Sequence, residues 1–269
     1  MKIINIFLIL FVFNIAKAQE IYKQPLSGIK KVNIETSTSV KIIKGASNNI
    51  IISTYKNCKE CRNRPDSDYR RIPKNTSDKS KGLKVFNPGG DNTGEGFRIE
   101  KEGGVLKIKD LKSFHQRGPL LISLPDGIDI TLNCGLRGSA IIEGFSSELE
   151  ITTDDGHIIL TKTTGPITCN SLSGNITMKI DEINPKSPIS ITNDGGDTDF
   201  ALPVNSNIDL YLYTYAGTIF TNLDLKVDPS KVEMKSVVSK SKIVSKLNKG
   251  GTNIKIYSTS GDIFLRKKE

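Results

Sequence analysis

The sequence predicts an all-β fold: a single-domain β-solenoid, built as a β-helix-like stack of two-strand rungs and interrupted by a long basic loop insertion. Three observations predict it. One phrase recurs, as ITTDDGHIIL at 151–160, ITCNSLSGNITM at 167–178 and IKIYSTSGDIFL at 254–265. The composition is rich in Ile, Thr, Ser, Asn and Gly, lacks Trp, and is only 6% aromatic, which suits strands joined by many turns. Long 3.6-residue periods are missing after the first residues, so little helix is expected.

The repeat is clearest when its glycines are aligned. Gly138, Gly156, Gly174, Gly196, Gly217 and Gly261 are spaced by 18, 18, 22, 21 and 44 residues, the last counting as two units. Five positions before the glycine stand Ile151, Cys169, Ile191, Leu212 and Ile256. Two after it stand Ala140, Ile158, Ile176, Thr198, Ile219 and Ile263, and four after it Ile142, Leu160, Met178, Phe200, Thr221 and Leu265. Residues two apart share a face of a strand, so each unit reads as strand, glycine corner, strand. A unit of this size cannot bury its apolar face alone, and stacking would turn the inward positions into ladders at a rung spacing of roughly 4.8 Å. The glycines are expected to supply the positive φ of a sharp corner. A sandwich or barrel also repeats strands every 8–12 residues or so, but would not hold the apolar offsets against one glycine. Residues 223–250 fit the phrase poorly.

Along the chain, residues 1–18 read as a signal peptide: Lys2, an apolar run from Ile3 to Phe13, and Ala16-Lys17-Ala18 before the expected cut. That run is too short for a bilayer, and after cleavage no transmembrane segment is expected. The protein should therefore be exported, to the periplasm, the outer cell surface or the medium. Residues 19–55 supply the first solenoid strands, with Val32, Ile34, Val40, Ile42, Ile50 and Ile52 alternating. Residues 56–118 form the basic, loop-rich insertion, with one short strand expected around Val105–Ile108. Residues 119–269 carry the main repeats.

Between Lys56 and Lys84 stand ten Lys or Arg against four acidic residues. Such a segment is either a solvated loop or a site for an anionic glycan or another envelope polyanion, with Arg62, Arg64, Arg70, Arg71 and Lys74 as candidate binding residues. No module for specific nucleic-acid readout is present. Cys58 and Cys61 form a C-x-x-C. In an exported protein this suits a small structural disulfide, with a free or metal-binding pair as the alternative. Cys134 and Cys169 fall on inward positions about two rungs apart, beyond bridging distance, and should be buried thiols.

Support for catalysis is thin. The histidines are His115 and His157, and the corner aspartates Asp154, Asp155, Asp194 and Asp197 suit turns for backbone reasons. Catalytic fingerprints, and any requirement for a cofactor or metal, are missing from the sequence. The expectation is a non-enzymatic structural or adhesin-like binding module. The alternative is a carbohydrate-active enzyme of the β-helix type, a polysaccharide lyase or hydrolase, which would gather those four aspartates and a basic residue in one cleft.

The phrases TTDDGHIILTKTTGPITCNSLSGNITMKI and IYSTSGDIFLRKKE resemble the putative-adhesin family of exported bacterial domains of unknown function. The resemblance spans residues 28–54 and 120–267, and is firmest at 149–180 and 251–265. It implies a β-solenoid ending in a glycine-aspartate-isoleucine strand and names no catalytic residues. The basic C-x-x-C insertion departs from the family pattern.

Overall fold

The computed structural model describes residues 20–55, 90–112, 118–225 and 241–268. The leader, Cys58, Cys61, Arg62, Arg64, Arg70, Arg71, Lys74 and His115 lie outside the described residues. Within them every regular element is a strand, twenty in all, divided equally between two sheets.

Each coil lays one strand in the first sheet, turns a corner, and lays the next in the second. In chain order the coils are β2 (Lys31–Glu35) with β3 (Val40–Lys44), β6 (Val105–Asp110) with β7 (Leu120–Leu124), and β8 (Asp129–Asn133) with β9 (Ala140–Glu143). Then come β10 (Leu149–Thr153) with β11 (Ile158–Thr161), β12 (Ile167–Ser171) with β13 (Ile176–Lys179), and β14 (Ile189–Asn193) with β15 (Thr198–Leu202). The last two are β16 (Ile208–Thr214) with β17 (Ile219–Thr221), and β19 (Thr252–Ser258) with β20 (Ile263–Lys267). Neighbouring coils pair in parallel. Four further strands, β1 (Glu20–Pro25), β4 (Asn49–Thr54), β5 (Phe97–Glu102) and β18 (Ser241–Leu247), join antiparallel at the ends.

The expected ladders are present in full register. In the second sheet Ala140, Ile158, Ile176, Thr198, Ile263 and Ile219 stand side by side. In the first, Leu132, Ile151, Cys169, Ile191, Ile256 and Leu212 do the same. Ile158, Ile176 and Ile263 are fully buried, as are Ile151, Ile191 and Ile256. Each such side chain contributes about 1.5–3 kcal/mol of burial, so the ladders dominate the stability. Cys134 and Cys169 are buried free thiols on this interior face.

Stacking order departs from chain order at both ends. The earliest coil, β2–β3, lies between β6–β7 and β8–β9, and the latest, β19–β20, lies between β14–β15 and β16–β17. The interval from Gly217 to Gly261 therefore spans no missing rung. The chain instead adds β18 antiparallel to β16 and returns to fill the slot inside it.

The stretch read as a loop-rich insertion also holds more structure than one short strand. Phe97, Ile99, Leu106 and Ile108 alternate inward as a hairpin over 97–110, turned at Gly103 and Gly104, both with positive φ. Its outward residues Arg98, Glu100, Lys107 and Lys109 are charged, which hides the alternation in a composition-based reading.

The corner glycines serve a purpose other than the expected one. Gly138, Gly156, Gly174, Gly196, Gly217 and Gly261 are not among the glycines with positive φ. They are required because the corners touch: a Cβ on Gly174 would overlap the carbonyl of Gly156, one on Gly156 that of Gly138, and one on Gly261 that of Gly196. Direct backbone stacking between coils leaves no room for a side chain.

Candidate functional site

The basic insertion is anchored at one end of the stack. It departs after β4, in the second sheet, and rejoins at β5, the outermost strand of the first. In the solenoid body many cations face carboxylates, among them Lys44–Asp126 at 2.9 Å, Lys162–Glu143 at 3.0 Å and Arg266–Asp199 at 2.8 Å. At the rejoining point the Asp91 carboxylate accepts hydrogen bonds from the backbone N–H groups of Thr93, Gly94 and Gly96, at 2.9–3.0 Å. Desolvation pushes that carboxyl up, but these bonds together outweigh it and hold it below the usual range.

The four corner aspartates do not gather in a cleft. Asp154 and Asp155 belong to the corner of the β10–β11 coil, and Asp194 and Asp197 to that of β14–β15, two coils away. Asp194 accepts from Thr259 Oγ1 at 2.8 Å, and Asp197 Oδ1 accepts from the backbone N–H of Asp262 at 2.9 Å. A cleft of about 230 Å³ does occur, lined by Glu35, Thr36, Ser37, Lys109, Asp110, Asn133 and Gly135, and it contains none of the four. Its acidic groups are already engaged. Glu35 faces Lys109 at 3.4 Å, and Asp110 accepts from Thr36 Oγ1 at 3.2 Å and the Lys112 N–H at 3.0 Å. Among the described residues no group of three or more His, Cys, Asp or Glu could hold a metal ion.

These corner residues instead form two polar ladders. Three positions before the glycine, the buried Thr153, Ser171 and Ser258 donate to the carbonyls of Gly156, Gly174 and Gly261 at 2.7–2.9 Å. Asn193 fills the same place by accepting from the Gly196 N–H at 3.1 Å. One position after the glycine, or after Thr38 in the β2–β3 coil, each side chain accepts from the backbone N–H of its counterpart in the next coil. The series runs Ser39 to Ser139, Ser139 to His157, His157 Nδ1 to Asn175, Asn175 to Asp197, Asp197 to Asp262 and Asp262 to Thr218. His157 is half-buried, and desolvation lowers its pKa; as an Nδ1 acceptor at 3.0 Å it must be neutral. It is a rung of a structural ladder. The buried thiols are similarly unreactive, since desolvation pushes Cys134 up strongly and Cys169 up to about 12.

One feature escaped the sequence reading. On the outward face of the first sheet the Tyr211 and Tyr257 rings lie 5.1 Å apart, and Tyr213 and Tyr257 6.3 Å apart. The signal was present in the parity of YLYT: Leu210 and Leu212 point inward, so Tyr211 and Tyr213 must point outward.

The fold and its corners define a two-sheet β-solenoid held by stacked glycines and polar ladders. The chain belongs to the Toastrack DUF4097 family, whose match covers residues 71–266. The coil β2–β3 and the end strands β1 and β4 precede that match. No curated protein matches the chain. Among solved structures it is similar to a protein from Clostridium sporogenes ATCC 15579 described as a putative cell adhesion protein. That likeness has 14% identity and a TM-score of 0.43, and covers 94% of this chain and 100% of the other.

Proposed function

We propose that the protein is an exported, non-enzymatic binding module of the bacterial cell envelope: a stiff stack carrying at one end a basic segment for anionic glycans or another envelope polyanion. The observation that carries this reading is the uneven charge. The ten cations between Lys56 and Lys84 far outnumber their local carboxylates, whereas many cations of the solenoid body are paired. The adhesin-like resemblance of the repeats and the leader-like first 18 residues support the surface role. β1 begins at Glu20, immediately after the expected cut, so removing the leader would take nothing from either described sheet.

Heparin and lipopolysaccharide chromatography tests the binding half. Retention should fall steeply with salt as counterions are released. Changing Arg62, Arg64, Arg70 and Arg71 to Ser should weaken it without lowering the melting temperature. Identical elution of parent and variant at every salt concentration would refute the assignment. Cell fractionation tests the other half, and mature protein confined to the cytoplasm would overturn it.

A further inference from the structure

We infer that the outward face of the first sheet, around Tyr211, Tyr213 and Tyr257, binds a neutral glycan chain laid across the strands. This site lies at the end of the stack opposite the basic insertion and goes beyond the function proposed for that segment. The strand register places Tyr213, Tyr257, Thr192, Asn170 and Thr152 in one row, one residue per coil. All five face outward, because the flanking Leu212, Ile256, Ile191, Cys169 and Ile151 are buried in the interior. Tyr257 is 37% exposed and its ring is tilted against both of the others, which share β16, so the three make one aromatic platform. Lys242 Nζ lies over the Tyr211 ring, 5.6 Å from its centroid.

The chemistry of the row selects the ligand. A pyranose ring has an apolar C–H face that lies on an aromatic ring, and a rim of hydroxyls that pair with hydroxyl and amide groups. The row offers those groups in that order: aromatic rings first, then Thr, Asn and Thr, repeating at a strand spacing of roughly 4.8 Å. An elongated polymer with a short repeat can meet several of them at once. From Tyr213 to Asn133 the row itself carries no charge; Lys242 and Lys255 flank only its tyrosine end, beside Tyr213 and Tyr211, so a chain laid along the row meets neutral groups over most of its length.

Cross-strand aromatic contacts also stabilise sheet edges, so the test separates binding from folding. Gel electrophoresis through xylan, mixed-linkage β-glucan, dextran and mannan, at about 0.5 M salt, suppresses any binding by the basic insertion. The parent protein should be retarded by at least one polymer. The Tyr211→Ala/Tyr257→Ala variant should lose about tenfold in affinity, whereas Tyr257→Phe keeps the stacking face and should retain it. Thr192→Ala/Asn170→Ala should weaken binding with an unchanged melting temperature. If none of the four polymers retards the parent, or the folded double-alanine variant binds like the parent, the assignment is wrong. Heparin retention at low salt is unaffected by either result and judges the basic segment alone.

Discussion

From β8 to β15 the chain stacks coil upon coil in the order it is written, while at each end it places its first or last coil one position inside the stack. Middle and ends share the aliphatic ladders, but the stacked glycine corners start only at Gly138: Thr38 holds that place in the β2–β3 coil, and Gly118 before β7 has open space beside it. They differ in the connection that leaves each coil. In the middle, a short corner leads directly to the next rung. At the ends, the chain first makes a detour, through β4 and the insertion on one side and β18 on the other, and returns to a different slot. The ladders specify that some aliphatic residue must sit opposite another, and they do not specify which coil supplies it. The end strands explain the value of the detour. β5 reads FRIEKE and β18 reads SKIVSKL, so charged antiparallel strands close the first sheet against further pairing.

The largest effect should come from removing residues 252–268. In a stack built in chain order this trims one terminal coil. Here it withdraws β19 and β20 from inside, leaving β16 and β17 without their inner neighbours and β18 attached only through β16. Hydrogen exchange should show the β16 amides less protected than in the parent, because β18 and a makeshift pairing on β14 replace the native β19 neighbour; protection equal to the parent's would refute the observed order.

Next comes charge in the ladder. Ile176→Asp places an unpaired charge at a fully buried central position and should cost more than about 4 kcal/mol. Ile219→Asp changes the half-exposed terminal member of the same ladder and should cost less than about 2 kcal/mol. The outward Thr177→Lys should stay within about 0.5 kcal/mol of the parent. Urea midpoints measure all three, and equal values for Ile176→Asp and Ile219→Asp would erase the distinction between middle and end.

Gly174→Ala should rank third, at about 2–3 kcal/mol in the same urea titration, because its Cβ would overlap the Gly156 carbonyl of the neighbouring coil. Tolerance of alanine there would mean the corners are looser than described.

The smallest effect concerns pH. Since burial lowers the folded pKa of His157, the unfolded chain takes up the proton first. Its contribution is therefore complete above the ordinary imidazole value of about 6.5 and is lost as pH falls through the lower folded value. His157→Asn keeps an acceptor for the Asn175 N–H that does not titrate in this range. The difference in melting temperature between parent and variant should shift in the variant's favour on acidification, and a pH-independent difference would remove His157 from the ladder.

The interior was legible from the sequence because a single offset from each glycine predicted Ile158, Ile176, Ile263 and their partners, all of them buried except the terminal Ile219. The corner glycines were legible as a requirement but not as a cause. Positive φ and close backbone approach both demand the same residue, and only the distance between coils separates them. The polar residue three positions before each glycine was visible in the phrase, yet Thr, Ser and Asn are also ordinary turn residues, so its buried bond to the corner was hidden. The order of the last two coils could not be read, since Leu212, Ile256 and Ile191 are interchangeable as ladder members. The tyrosine platform was overlooked because low aromatic content overall says nothing of three rings gathered on one face.

The internal position of the final coil also bears on how the protein can be made. A chain that folded as it emerged would reach β16 and β17 long before β19 and β20, and the open faces of β14 and β15 would offer them a ladder of matching period. That early pairing occupies the slot the last coil needs, so it is a decoy that must come apart before assembly can finish. The native stack is thus out of reach of a growing chain until residues 252–267 have been made, and its completion waits on them.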